Sequence, residues 1–189
     1  MRLAVVGRNA RRLCRLAGVE AAVFPALSAV PARRWALLAL TRGAAGPSAD
    51  IPRAQTLALP GGCDPALARG AEQVIGYGFS ARDTLTLSSA GRMLCLQRSV
   101  VTLDGAVLEP QELALPPELA ELPDEDAMLT CLLRLLSPES AGQINASLFF
   151  PRKISHIARF PGKSMLAIPK RTTLCNKSKR SNDHVQQEQ

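Results

Sequence analysis

The sequence predicts an α/β body followed by a basic tail, on three observations. In the first half, short apolar runs alternate with turn residues and a segment of helical spacing, the order expected of an α/β domain. From Thr84 the apolar period drops to two, which marks antiparallel strands. Near residue 140 the composition breaks: residues 1–150 hold fourteen arginines, fourteen acids and no lysine, whereas residues 151–180 hold five lysines, four arginines and no acid. The net charge of +7 therefore resides in the nine basic residues after 150, less Asp183 and Glu188. At 189 residues the chain has a one-domain length. The body is assigned to residues 1–138 and the tail to 139–189, a tail that also reads as a non-native extension joined to the body.

Leu3–Val6 is a short apolar run closed by Gly7, a buried strand. Asn9 suits a helix N-cap, Ala10–Leu16 forms the helix, and Gly18 stops it. Leu13 and Leu16 share one face, with Val6 expected behind them, and Arg8, Arg11, Arg12 and Arg15 occupy the remaining surface. This strand–turn–helix opening makes the body Rossmann-like. A second cycle follows: a strand within Val19–Val23, a turn or short helix over Phe24–Val30, and a strand at Trp35–Leu40. The last run is apolar throughout, as in an internal parallel strand buried on both faces. Thr41–Arg53, rich in Gly, Ala and Pro, is a loop.

Gln55–Leu59 alternates as a strand and turns at Pro60-Gly61-Gly62. Asp64 as cap and Pro65 at the first helical position open a short helix to Glu72. Gln73–Gly78 is the next strand. Beyond it lie Thr84–Ser89, an Ala90-Gly91 turn, Arg92–Arg98, Ser99–Leu103, Asp104-Gly105, Ala106–Pro110 and Glu112–Leu115. Asp-Gly between two apolar alternating runs is a strong hairpin signal, so this region is predicted to be a β meander.

Asp64-Pro65, Val74-Ile75-Gly76-Tyr77-Gly78 and Ser80 resemble the late part of the central domain of the Mur ligase family, across residues 55–115. Those enzymes are ATP-dependent amide ligases of bacterial cell-wall synthesis. In them an Asn/Asp-rich loop ending Asp-Asp-Pro precedes a helix, a strand ending in Tyr/Phe-Gly, and antiparallel strands. This chain departs from the pattern. Gly62-Cys63-Asp64-Pro65 lacks the Asn and the first Asp, no GxxxxGK[ST] lies upstream, and residues 1–150 offer no lysine to grip phosphate. The resemblance thus implies a reduced relative that kept the scaffold and lost the chemistry. Tyr77-Gly78-x-Ser80 with Thr102-Leu103-Asp104-Gly105 and Glu109-Pro110-Gln111-Glu112 is also similar to a small bacterial family, which implies no activity.

Asp124, Glu125 and Asp126 precede Ala127–Leu136, and acids in a first turn suit the helix dipole. This late helix, ended by Ser137-Pro138, is expected either to dock on the sheet or to present a surface to a partner protein. Past Gly142, Ile144–Phe150 reads as one more strand, and residues 170–189 as disordered. Lys170, Arg171, Lys177, Lys179 and Arg180 are candidates for nonspecific contact with the phosphate backbone of nucleic acid, or with an acidic membrane surface. Gly162-Lys163-Ser164 matches the end of a phosphate loop, but the leading position holds Ile157.

The first turn is the candidate anion site. Gly7, Arg8 and Asn9 stand where a strand enters a helix, and a helix N-terminus attracts anions. The dinucleotide fingerprint needs two further glycines there. Both histidines, His156 and His184, are in the tail, so the body holds no His-based triad or His-rich metal site. Cys63, at a helix start, lacks a histidine base. Asp104 with Glu109 or Glu112 reads as a set of turn and edge residues. Five scattered cysteines without CxxC spacing point to a reducing compartment. No signal peptide and no transmembrane segment is predicted, and the expected location is the cytoplasm. The residues together predict a non-catalytic accessory or protein-interaction module without cofactor or metal. The rival readings are a nucleotide-binding, degenerate Mur-ligase-like protein and a nucleic-acid contact protein working through the tail.

Overall fold

The computed structural model describes residues 2–44, 51–88 and 93–137. These form an α/β fold on an eight-stranded mixed sheet. In chain order the elements of this sheet are β1 (Leu3–Val6), α1 (Ala10–Ala17), β2 (Ala22–Phe24), β3 (Trp35–Leu40), β4 (Ala54–Pro60), β5 (Ala71–Gly78), β6 (Leu85–Leu87) and β7 (Met93–Leu96). A two-stranded hairpin, β8 (Val100–Val101) and β9 (Val107–Leu108), precedes β10 (Gln111–Ala114) and α2 (Asp124–Leu136). The sheet order is β10-β7-β6-β5-β4-β3-β1-β2. The strands from β2 to β6 are parallel, and β6, β7 and β10 are antiparallel. Among the described residues no helix is long and apolar enough to cross a membrane.

Alternation along the strands divides the apolar side chains into two layers. Val5, Leu37, Ala39, Ala58, Ile75, Tyr77, Leu85, Leu94 and Leu96 face α1 and α2. Val5, Ala39, Ala58 and Ile75 lie side by side across four strands. The two alanines lower the sheet surface at its middle, and α2 buries nine of its thirteen residues. Val5, not Val6, lies behind α1: the one-residue offset sends Val6 to the opposite layer with Leu38, Leu40, Leu57 and Leu59. No α-helix covers that second layer among the described residues. Its cover comes from 3-10 turns at Leu27–Ala29 and Pro65–Gly70, which supply Leu27 and Leu67, together with Val30 and Ala44. Trp35 closes this layer at its start, edge-on to Phe24 at 5.8 Å between ring centroids.

The helices α1 and α2 run side by side in the same direction. Asn9 and Asp126 meet at their starts, and Arg134 Nη2 donates to Leu16 O (2.6 Å) near the end of α1. Parallel helix dipoles repel, so acids at the shared start and an arginine at the shared end are the charges this packing calls for.

Several elements differ from expectation. The strand placed in Val19–Val23 is Ala22–Phe24. The helix from Pro65 is a 3-10 turn ending at Gly70, and Ala71 and Glu72 join β5, where they extend the pairing with β4. The Asp104-Gly105 hairpin forms, with Val100 opposite Leu108 and Gly105 at φ 89°, but it stands as its own two-stranded sheet. It docks through the Gln73 side chain, which exchanges two bonds with the backbone of Val101, so the main meander runs β6-β7-β10. The Ala90-Gly91 turn, the middle of the 41–53 loop, the Ile144–Phe150 strand and Gly162-Lys163-Ser164 lie outside the described residues.

Candidate functional site

Strand order reverses at β1, which has β2 on one side and β3 on the other, and an open α/β sheet holds ligands at the carboxyl ends of the strands where this happens. Gly7-Arg8-Asn9 and Thr41-Arg42 stand at that point. Gly7 is at φ 111°, and its amide donates to Phe24 O (2.8 Å). A Cβ on Gly7 would sit 2.1 Å from Thr41 Oγ1 and 2.8 Å from Ala44 Cβ, so the position admits only glycine. Thr41 is buried, and its hydroxyl has no hydrogen-bond partner among the described residues.

Asn9 occupies the N-cap of α1, as expected, but it does so at φ 60° and without a capping bond from its side chain. In this left-handed conformation, which asparagine tolerates, its amide reaches across to Asp126 Oδ2 (3.3 Å). Beside it Arg42 pairs with Glu125. Both helices therefore start at this crevice, and the acidic first turn of α2 supplies the negative charge that their N-termini favour. Of the three residues of the predicted anion site, Gly7 shapes the turn, Asn9 spends its donor on Asp126, and Arg8 is exposed.

Tyr77 lies under the same end of α2. It is buried, and its hydroxyl donates to Leu40 O (2.6 Å) across β4. Burial, with the nearby Glu125 and Asp126 carboxylates adding to it, pushes the phenol far above its usual range. Asp83 closes the next turn along the sheet edge. Asp83 is 6% exposed, and its carboxylate accepts from the Ser80 amide (2.9 Å) and rests against three glycines. A Cβ at Gly61, Gly76 or Gly78 would come within 2.8, 3.1 and 2.7 Å of its oxygens.

The remaining sequence candidates are structural in their surroundings. Burial raises the Cys63 thiol, whereas a helix N-terminus on its own would lower it. Burial also raises Cys14, and it takes Cys131 to about 12. Asp104 accepts from Thr102 Oγ1 within its own turn, and Glu109 accepts from Ser99 Oγ (2.8 Å). Among the described residues no group of three His, Cys, Asp or Glu side chains is placed to hold a metal ion. Lys170, Arg171, Lys177, Lys179 and Arg180 lie outside the described residues.

The opposite flank of α1 carries a second feature. Arg11, Arg12 and Arg15, spaced i, i+1 and i+4 on the helix, are all exposed, as is Arg8 in the turn before it. Arg11 and Arg15 line an open groove of about 560 Å³ between α1 and β2, with Cys14, Val19, Glu20, Ala21 and Val23. The arginine spacing is visible in the sequence; the groove is not, because it depends on β2 being the last strand of the sheet. Thr41 and Asp83 were missed as site residues, since their neighbours come from other strands. No protein-family model, curated protein or solved structure matches the chain.

Proposed function

We propose that the chain is a non-catalytic interaction module that acts by binding another macromolecule. The observation that carries this reading is the acidic turn of α2 seated on the switch point, where Asn9 meets Asp126 and Arg42 meets Glu125. In a nucleotide-binding α/β domain the phosphates take that place at the helix N-terminus. Here carboxylates of the chain itself stand there and would repel them. The raised thiols at Cys14, Cys63 and Cys131 support the same reading, because the thiolate is the nucleophile. The free state of Cys14, Cys63, Cys95 and Cys131 fits a reducing, cytoplasmic setting.

Thermal unfolding of the full chain with millimolar ATP, ADP or NAD, each with and without Mg²⁺, tests this. A ligand at 100 times its Kd adds about 2.7 kcal/mol to the folded state, several degrees in Tm. The expected result is no shift. A saturable rise would overturn the proposal in favour of a nucleotide-binding, Mur-ligase-like protein. The charge break favours a second reading, phosphate-backbone contact through the tail, which predicts salt-dependent nucleic-acid binding lost on deleting residues 151–189.

A further inference from the structure

We infer that the groove between α1 and β2 binds an extended acidic peptide, added as a strand beside β2. This rests on the interaction-module reading and names its site and partner. β2 is the last strand of its sheet, and the parallel register turns Ala22 and Phe24 toward β1, so Val23 points its N–H and C=O outward, where no described strand uses them. A peptide strand on that edge completes a ladder, the recognition mode in which main-chain bonds give affinity and alternate side chains give specificity.

The groove on the helix side of that edge would receive those alternate side chains. Its floor is apolar, with Val19, Ala21 and Val23, and its wall carries Arg11 and Arg15. Neither arginine makes an ion pair among the described residues, and both are exposed. Four residues along a helix rise about 6 Å, and every second residue of a strand advances about 6.6 Å. Two carboxylates at alternate positions of an added strand thus match the Arg11–Arg15 repeat, and a guanidinium fork suits a carboxylate. Glu20, which also lines the groove, sets its limit: the acidic pair must lie toward Arg11 and Arg15, away from that residue.

Other occupants fit less well. Residues 151–180 of the chain itself hold nine basic residues and no acid, so they carry the wrong charge. A second copy paired β2 to β2 brings two arginine walls together. A nucleic-acid backbone answers the arginines but has no use for an apolar floor or an open strand edge.

The test is fluorescence anisotropy with the full chain and a labelled ten-residue peptide alternating Glu with Val or Thr. Two double charge reversals are compared: Arg11→Glu with Arg15→Glu, which line the groove, and Arg8→Glu with Arg12→Glu, which do not. All four sites are exposed, so both proteins are expected to fold, which circular dichroism checks. We expect the groove pair to weaken binding by roughly tenfold or more and the other pair to change it by about twofold at most. Peptide binding should also slow hydrogen exchange at the outward amide of Val23. Equal loss in both double variants, with tighter binding to a twenty-nucleotide single strand, would overturn the proposal and assign the arginine stripe to phosphate. No peptide binding, or binding that neither variant changes, would also overturn it. Failure here with no nucleotide-induced Tm shift leaves the interaction-module reading standing; a nucleotide shift removes both.

Discussion

Replacing Gly7 with alanine probes the switch point directly, because two separable costs meet there. The first is backbone strain. Gly7 is at φ 111°, where an L-residue costs about 1–3 kcal/mol. The second is overlap: the new methyl would lie 2.1 Å from Thr41 Oγ1 and 2.8 Å from Ala44 Cβ. Forcing atoms into a packed site costs about 1–3 kcal/mol more. Gly7→Ala should therefore destabilise by about 2–6 kcal/mol, a large share of the 5–15 kcal/mol typical of a domain. Thr41→Ala removes the nearer of the two contacts and an orphaned buried hydroxyl, so alone it should be close to neutral. In the double variant the strain and the Ala44 contact remain, and the cost of Gly7→Ala should fall by about 1–2 kcal/mol. Urea unfolding of the four proteins, followed by the fluorescence of the single Trp35, reads all three values. A cost below about 1 kcal/mol for Gly7→Ala would show that the turn is not left-handed. A coupling near zero would show that Thr41 does not press on Gly7.

Three further outcomes are expected. Tyr77 is the only tyrosine, and its folded pKa is raised above the unfolded value. The stability its burial contributes is thus present below about pH 10 and lost as pH rises beyond it, at about 1.4 kcal/mol per unit. Absorbance at 295 nm should report tyrosinate only where circular dichroism reports unfolding, and ionisation near pH 10 in the folded chain would contradict the burial. Gly78→Ala places a methyl 2.7 Å from Asp83 Oδ2, and chemical denaturation should show a loss of about 1–3 kcal/mol, most of it relieved in an Asp83→Ala background. Among the described cysteines, Cys14 and Cys131, 6% and 1% exposed, should resist a thiol reagent at pH 8 until the chain unfolds, while Cys63 and Cys95 react before them; mass spectrometry of the labelled peptides gives the order.

Local chemistry in the sequence determined the elements whose causes are local. Val5 and its neighbours, Trp35–Leu40 and Gly18 mark β1, β3 and the end of α1 through apolar runs and a left-handed stop. Asp64 caps the Pro65 turn by accepting from the Ala66 amide (2.8 Å), and Asp104-Gly105 turns its hairpin, both as residue type and spacing require. The candidate site was legible only in part. Gly7, Arg8 and Asn9 are consecutive, so their turn can be read directly, and the Arg11–Arg15 pair follows from helical spacing. What fills the crevice comes from 117 residues away, where Asp126 meets Asn9. Asp83 needs glycines on β5 and in the turn after β4, and Tyr77 reaches a carbonyl on β3 across β4. Strand order decided these contacts, and with them which face Val5 takes and which strand stands open at the edge. Such pairings join residues far apart in the chain, and side-chain periodicity carries no record of which strand lies beside which.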